Sequence, residues 1–252
     1  ILFDSLREKI MPLADEVIVY AGHGAGSACG KNMMKETVDV LGNQKKMNYA
    51  LRADMTRDEF IKEVTDGLAK PPAYFPENVM MNKGGYKSFD DVMRQGMTPL
   101  SPSAFEAAAN ETDALVLDTR DPQEFAKGFV PNAINIGIKG QFAPWVGALI
   151  QGVSQEILLI CEPGKEKEVI TRLSRVGYDN TVGYLKGGVH TYANAGGDLK
   201  TITSISGFEL AEKYGDVNIV DIRKPGEYDS EHVVDAMSYP LDYMNENIDT
   251  LD

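Results

Sequence analysis

Asp118-Thr-Arg-Asp-Pro-Gln-Glu-Phe125 returns as Asp221-Ile-Arg-Lys-Pro-Gly-Glu-Tyr228, an offset of 103 positions. The register holds without a gap from Ser103/Ser206 through Phe105/Phe208 and Glu106/Glu209 to Val130/Val233 and Ala133/Ala236. A period of that length marks a duplicated domain; solenoid repeats run at roughly 20–50 residues. The same offset carries Cys161 past Asp252, so the second copy is expected to be partial. Ile1 replaces an initiator Met and opens an amphipathic helix pattern of Leu2, Phe3, Leu6 and Ile10. The chain is therefore expected to be an internal part of a longer protein, without a secretory signal in these residues.

Composition narrows the class. The 252 residues are 43% hydrophobic and 25% charged, an ordinary balance for globular protein. Apolar runs such as Ile157-Leu-Leu-Ile-Cys161 fall far short of the roughly 20 residues that span a bilayer. A net charge of −13 repels phosphate backbones, which argues against nucleic acid as a partner. Cys29 and Cys161 lie in separate regions and outline no disulfide framework. A reducing cytoplasm, no membrane partner and a small-molecule ligand are the expectation; oligomeric state is left open.

Four segments follow. Residues 1–52 read helix, strand (Glu16–Tyr20), Gly-rich turn around His23, helix. Residues 53–98 open on a capping box, Thr56 with Glu59, which predicts a helix carrying Phe60, Ile61, Val64 and Leu68. Lys70 to Pro76 is expected to run extended, and residues 77–98 read as a tail or linker. Residues 99–200 alternate: a helix capped by Ser103, strands at Ala114–Asp118, Ala133–Ile136 and Glu156–Cys161, a helix from Glu168 to Gly177, a strand at Thr181–Leu185, then Gly187-Gly188 into a short helix. Alternation of this kind predicts a central parallel sheet flanked by helices. Residues 201–252 start the same pattern again.

Cys161 ends an apolar strand and opens the loop Glu162-Pro163-Gly164-Lys165-Glu166-Lys167. Sites in open α/β sheets form at the carboxyl ends of strands. There backbone N–H groups and a helix N-terminus favour an anion, lowering a thiol's pKa. That spacing predicts Cys161 as nucleophile, with residues 162–167 as the substrate cradle. A buried cysteine acting as a small hydrophobe at a strand end is the other reading. His23 projects from a turn where an α/β sandwich would place a metal ligand, but a site needs three or more. Asp118 with Arg120, and Asp221 with Arg223, read as fold-stabilising ion pairs.

Residues 99–200 resemble rhodanese domains. The matching pieces are Asp118-x-Arg120, Glu124-Phe125, Gly128-x-x-Pro131-x-Ala133-Ile134-Asn135-Ile136, Cys161-x-x-Gly164, and Leu185-x-Gly187-Gly188 with Tyr192, Ala195 and Gly196. The second copy matches through Asp221–Pro240. Val17-Ile-Val-Tyr-Ala-Gly-His23 and the Leu41–Leu51 helix resemble the end of an αββα metallo-β-lactamase fold of the glyoxalase II and persulfide dioxygenase type. These resemblances imply a metallo-β-lactamase–rhodanese fusion in sulfane-sulfur metabolism, with a persulfide carried on Cys161 and thiosulfate or a persulfide as substrate. They also imply iron or zinc in the complete metallo-β-lactamase-fold domain and none held by this chain alone, His23 being the counterpart of a ligand at the second metal position. Rhodanese loops usually carry arginines after the cysteine; here Glu162 and Glu166 take those places. Inactive rhodanese modules that bind or regulate the metalloenzyme are the alternative.

Overall fold

A computed structural model of the chain describes residues 1–22, 35–66 and 74–250. The chain divides into two compact units, residues 1–70 and 71–252. In the first, α1 (Leu2–Ser5) runs into a wider π-helical turn at Leu6–Ile10. Strand β1 (Ile18–Tyr20) pairs antiparallel with β2 (Val38–Val40) in the register Val19↔Asp39. Helix α2 (Leu41–Met47) and the short turn Tyr49–Leu51 follow. Helix α3 (Arg57–Thr65) starts at the expected capping box, Thr56 and Glu59 each satisfying the other's backbone N–H. Phe3 meets the buried Phe60 edge-on at 5.4 Å, and Arg57 pairs with Asp4. Strand β2 was not expected from the sequence; it is three residues long with Asp39 at its centre, too short to show a period.

The second unit begins with α4 (Tyr74–Gly84) and α5 (Phe89–Gly96). This corrects the extended reading of Tyr74–Pro76 and the tail reading of 77–98. Proline is tolerated in a first helical turn, where its missing N–H has no partner to lose. Ser88 caps α5 by accepting from the Asp91 N–H, and Val92 is buried in the core. Next come β3 (Pro99–Leu100), α6 (Pro102–Glu111), β4 (Leu115–Asp118), α7 (Pro122–Lys127), β5 (Ile134–Asn135), α8 (Phe142–Leu149), β6 (Ile157–Ile160), α9 (Glu166–Ser174), β7 (Thr181–Leu185) and α10 (Gly188–Asn194). The cap of α6 is Ser101 rather than Ser103, with Pro102 at the first helical position it favours.

The five strands form one parallel sheet in the order β3-β7-β6-β4-β5. Alternation along β6 divides its side chains between two cores. Ile157 and Leu159 join Leu117, Val146, Val169 and Leu173 on one face; Leu158 and Ile160 join Phe105, Val116, Val189 and Tyr192 on the other. All four β6 side chains are fully buried. Truncating one to alanine costs about 2–5 kcal/mol, so this strand fixes the position of whatever follows it.

The second copy continues with α11 (Gly207–Glu212), β8 (Val220–Asp221), α12 (Pro225–Ser230), β9 (Met237–Ser238) and α13 (Met244–Asn247). Its local geometry repeats the first at the sequence offset. Leu117↔Ile134 and Asp118↔Asn135 become Val220↔Met237 and Asp221↔Ser238. The left-handed Asn132 (φ 64°) becomes Asp235 (φ 62°), and the stacked rings of Phe125 and Phe129 become Tyr228 and His232. Among the described residues, β8 has a partner on one side only.

Candidate functional site

Three strand ends converge at the carboxyl edge of the sheet. After β4, the fully buried Asp118 receives Arg120 Nε at 3.0 Å and Nη2 at 2.6 Å, while the same Nη2 donates to the Gly128 carbonyl at 2.8 Å. This clamp is structural, as the sequence predicted. Thr119 donates from its backbone N–H (2.9 Å) and its hydroxyl (3.3 Å) to the carbonyl of Ile160, tying the β4 end to the residue before Cys161. After β7, Gly188 adopts φ +66°, and a Cβ there would stand 3.5 Å from the Cys161 carbonyl oxygen.

Cys161 follows β6 directly and is 5% exposed. Its loop is a tight turn, Lys165 N–H donating to the Glu162 carbonyl at 3.0 Å. Gly164 sits at φ +87°, a left-handed conformation that side chains resist. The loop follows the strand as expected, α9 starts at Glu166 instead of Glu168, and the electrostatics are reversed. Burial first, then the carboxylates of Glu166, Asp118 and Glu162, push the Cys161 thiol up to about 12. The sequence reading expected a lowered pKa from the helix end; a buried thiol facing three acids outweighs half a unit of dipole charge.

The cradle also differs from expectation. The Gly164 N–H, an anion donor in the sequence reading, is taken by the Glu166 carboxylate at 3.1 Å. Lys165 pairs with Glu168 at 3.0 Å, and Arg172 meets that carboxylate from the next turn. Glu162, Pro163, Gly164, Lys165 and Lys167 are exposed and Glu166 is half-buried. His23 and Cys29 lie outside the described residues. Among the described residues no group of three or more His, Cys, Asp or Glu could hold a metal ion, so they do not compose the implied iron or zinc site. His232 stacks on Tyr228 at 3.8 Å and bonds its carbonyl through Nδ1 at 2.7 Å, a packing role.

Beside the loop opens a cleft of about 280 Å³ lined by Thr119, Asp121, Trp145, Leu149, Glu162 and Leu241. Sequence reasoning missed Trp145, the single tryptophan, and Leu241, which comes from the second copy. A larger cleft, about 350 Å³, is lined by Asp113, Leu115 and Tyr192 at the amino end of β4. Ligands of parallel sheets gather at the opposite end, so the smaller cleft is the relevant one.

Residues 101–195 match the family model described as Rhodanese-like domain. This part of the chain is a rhodanese-like domain. Its parallel five-stranded sheet carries Cys161 at the end of the central strand. No curated protein matches the sequence. Among solved structures, a metallo-beta-lactamase from Staphylococcus aureus subsp. aureus COL is 27% identical with a TM-score of 0.57, covering 72% of this chain and 48% of its own. The chain thus spans about half the length of that structure. The Alr3790 protein from Anabaena sp. is 17% identical (TM-score 0.36; 44% of this chain, 98% of its own). The polysulfide-sulfur transferase homodimer from Wolinella succinogenes is 16% identical (TM-score 0.37; 53% and 96%). The first likeness relates the chain to a metallo-β-lactamase, and the family match identifies the rhodanese-like part.

Proposed function

We propose that the chain is part of a metallo-β-lactamase–rhodanese fusion and that its rhodanese-like domain transfers sulfane sulfur through Cys161. The observation carrying this reading is the placement of Cys161 at the carboxyl end of the fully buried β6, at the head of a tight loop entering α9. The atoms balance for a persulfide donor. The Cys161 sulfur attacks the outer sulfur of R–S–SH, the donor's S–S bond breaks, and the proton lost by Cys161 leaves with R–SH. Cys161 then carries the persulfide, with no net oxidation. A protonated resting thiol and an acidic loop disfavour the thiosulfate dianion and favour a neutral or cationic donor. Residues 1–52 in this reading close a metallo-β-lactamase-fold domain, 53–98 extend from it, and 99–200 and 201–252 are a rhodanese-like domain and the start of a second.

One observation favours a second reading. A thiol pushed up to about 12 is almost wholly protonated at neutral pH, as in a binding module without chemistry. Intact-mass spectrometry after treatment with a persulfide donor decides between them. Gain of one sulfur atom in wild type and none in Cys161→Ser is the expected result; a wild type that never gains it leaves the binding module.

A further inference from the structure

We propose that the cleft beside the Cys161 loop is a binding site for a small zwitterionic thiol, its outer wall supplied by the second repeat. The cleft has apolar walls in Trp145, Leu149 and Leu241 and charged groups in Glu162 and Lys139. The carboxylate of Glu162 and the ammonium of Lys139 make no hydrogen bond or ion pair with another described residue. Asp121, the other charge lining it, is committed to capping α7 through the Gln123 N–H at 2.9 Å. One uncommitted carboxylate and one uncommitted ammonium on an apolar wall suit a ligand bearing both charges on a short carbon frame. A dianion would meet Glu162, and an apolar ligand would leave both charges unanswered. Glu162 lines the cleft and directly follows Cys161 in the chain, so a ligand paired with Glu162 is held next to the loop.

The wall is anchored, not merely adjacent. Asn245 donates through Nδ2 to the carbonyls of Ala148 and Leu149 at 3.0 and 3.1 Å, answering carbonyls at the end of α8 that the helix leaves unpaired. The Leu241 N–H bonds the Ile222 carbonyl at 3.0 Å, as Ile138 bonds Thr119 in the first copy. Ile138 and Leu241 occupy equivalent repeat positions and line the same cleft. The two copies thus contribute matching side chains to one cavity.

The inference rests on the sulfur-transfer reading for why a thiol binds, but its test does not need the chemistry. Trp145 is the single tryptophan and lines the cleft, so its fluorescence reports occupancy. S-methylcysteine, a zwitterion that cannot donate sulfur, should change that fluorescence saturably in wild type and equally in Cys161→Ser. Filling the cleft with Leu241→Trp complicates the signal, so Leu241→Ala and Glu162→Lys are the informative variants. Each should weaken binding at least tenfold at unchanged circular dichroism, while the volume-keeping Leu241→Met should not. No saturable response, or wild-type affinity in Leu241→Ala or Glu162→Lys, overturns the proposal. Binding without any sulfur uptake on Cys161 sinks the transfer reading and leaves the cleft; uptake without binding does the reverse.

Discussion

Because burial and three carboxylates hold the Cys161 thiol at about 12 against an ordinary 9.0, the folded chain keeps a proton that the unfolded chain releases. Where the unfolded state binds fewer protons than the folded state, stability falls as pH rises. The stability from this group is complete below pH 9.0 and is lost as pH rises toward about 12. Urea midpoints should therefore fall more steeply with pH in this window for wild type than for Cys161→Ser. Parallel slopes would show that the thiol titrates normally. Iodoacetamide should label native Cys161 slowly at neutral pH and rapidly after denaturation. Replacing Glu162 and Glu166 together by Arg removes two of the three carboxylates and releases the Gly164 N–H. A drop of about one pKa unit, about 1.4 kcal/mol, raises the thiolate fraction about tenfold. Thiosulfate turnover and alkylation should both rise by that order, and a variant no faster than wild type would remove electrostatics as the barrier.

The Asp–Arg–carbonyl clamp occurs twice with the same geometry and different burial. Arg120 is 14% exposed over an Asp118 at 0%, whereas Arg223 is 47% exposed over Asp221 at 10%. Removing one partner of a buried pair costs about 3–5 kcal/mol, and an exposed pair contributes about 0–1 kcal/mol. Arg120→Met should destabilise the fold several-fold more than Arg223→Met by chemical denaturation; equal losses would mean that burial does not govern the clamp. What the sequence revealed at this scale was local. The apolar run of β6, the Thr56–Glu59 capping box and the Asp118–Arg120 spacing each announce themselves within a few residues. Helix α5 did not, because it buries only Val92 and Gly96, and α8 was masked by Pro144 and Gly147. The position of the loop after the strand and the opposition of Glu162 and Glu166 to a thiolate were legible, while the net direction was missed, since the burial that dominates it is set by residues far along the chain. Leu241 could not have been assigned to the cleft from the sequence, because only the fold brings it to the cleft that Glu162 lines.

Across the whole chain, the second copy offers less to hold it than the first. Phe208 is 88% and Val234 67% exposed, and Lys213, Arg223 and Lys224 lie on the surface. Brief trypsin treatment should cut between residues 203 and 230 before it touches the five-stranded sheet, since local opening follows buried contact. Equal survival of both regions would contradict this. The sheet order has a further consequence for how the protein is made. Strand β3 pairs with β7, Pro99 beside Tyr184, yet β7 is the last of the five to be synthesised. At about 5–20 residues per second, a ribosome needs on the order of 4–17 s to cover that interval. Throughout this time β3 has no partner, and β6, once made, lacks its neighbour β7. The wait ends only when Leu185, the partner of Leu100, has emerged.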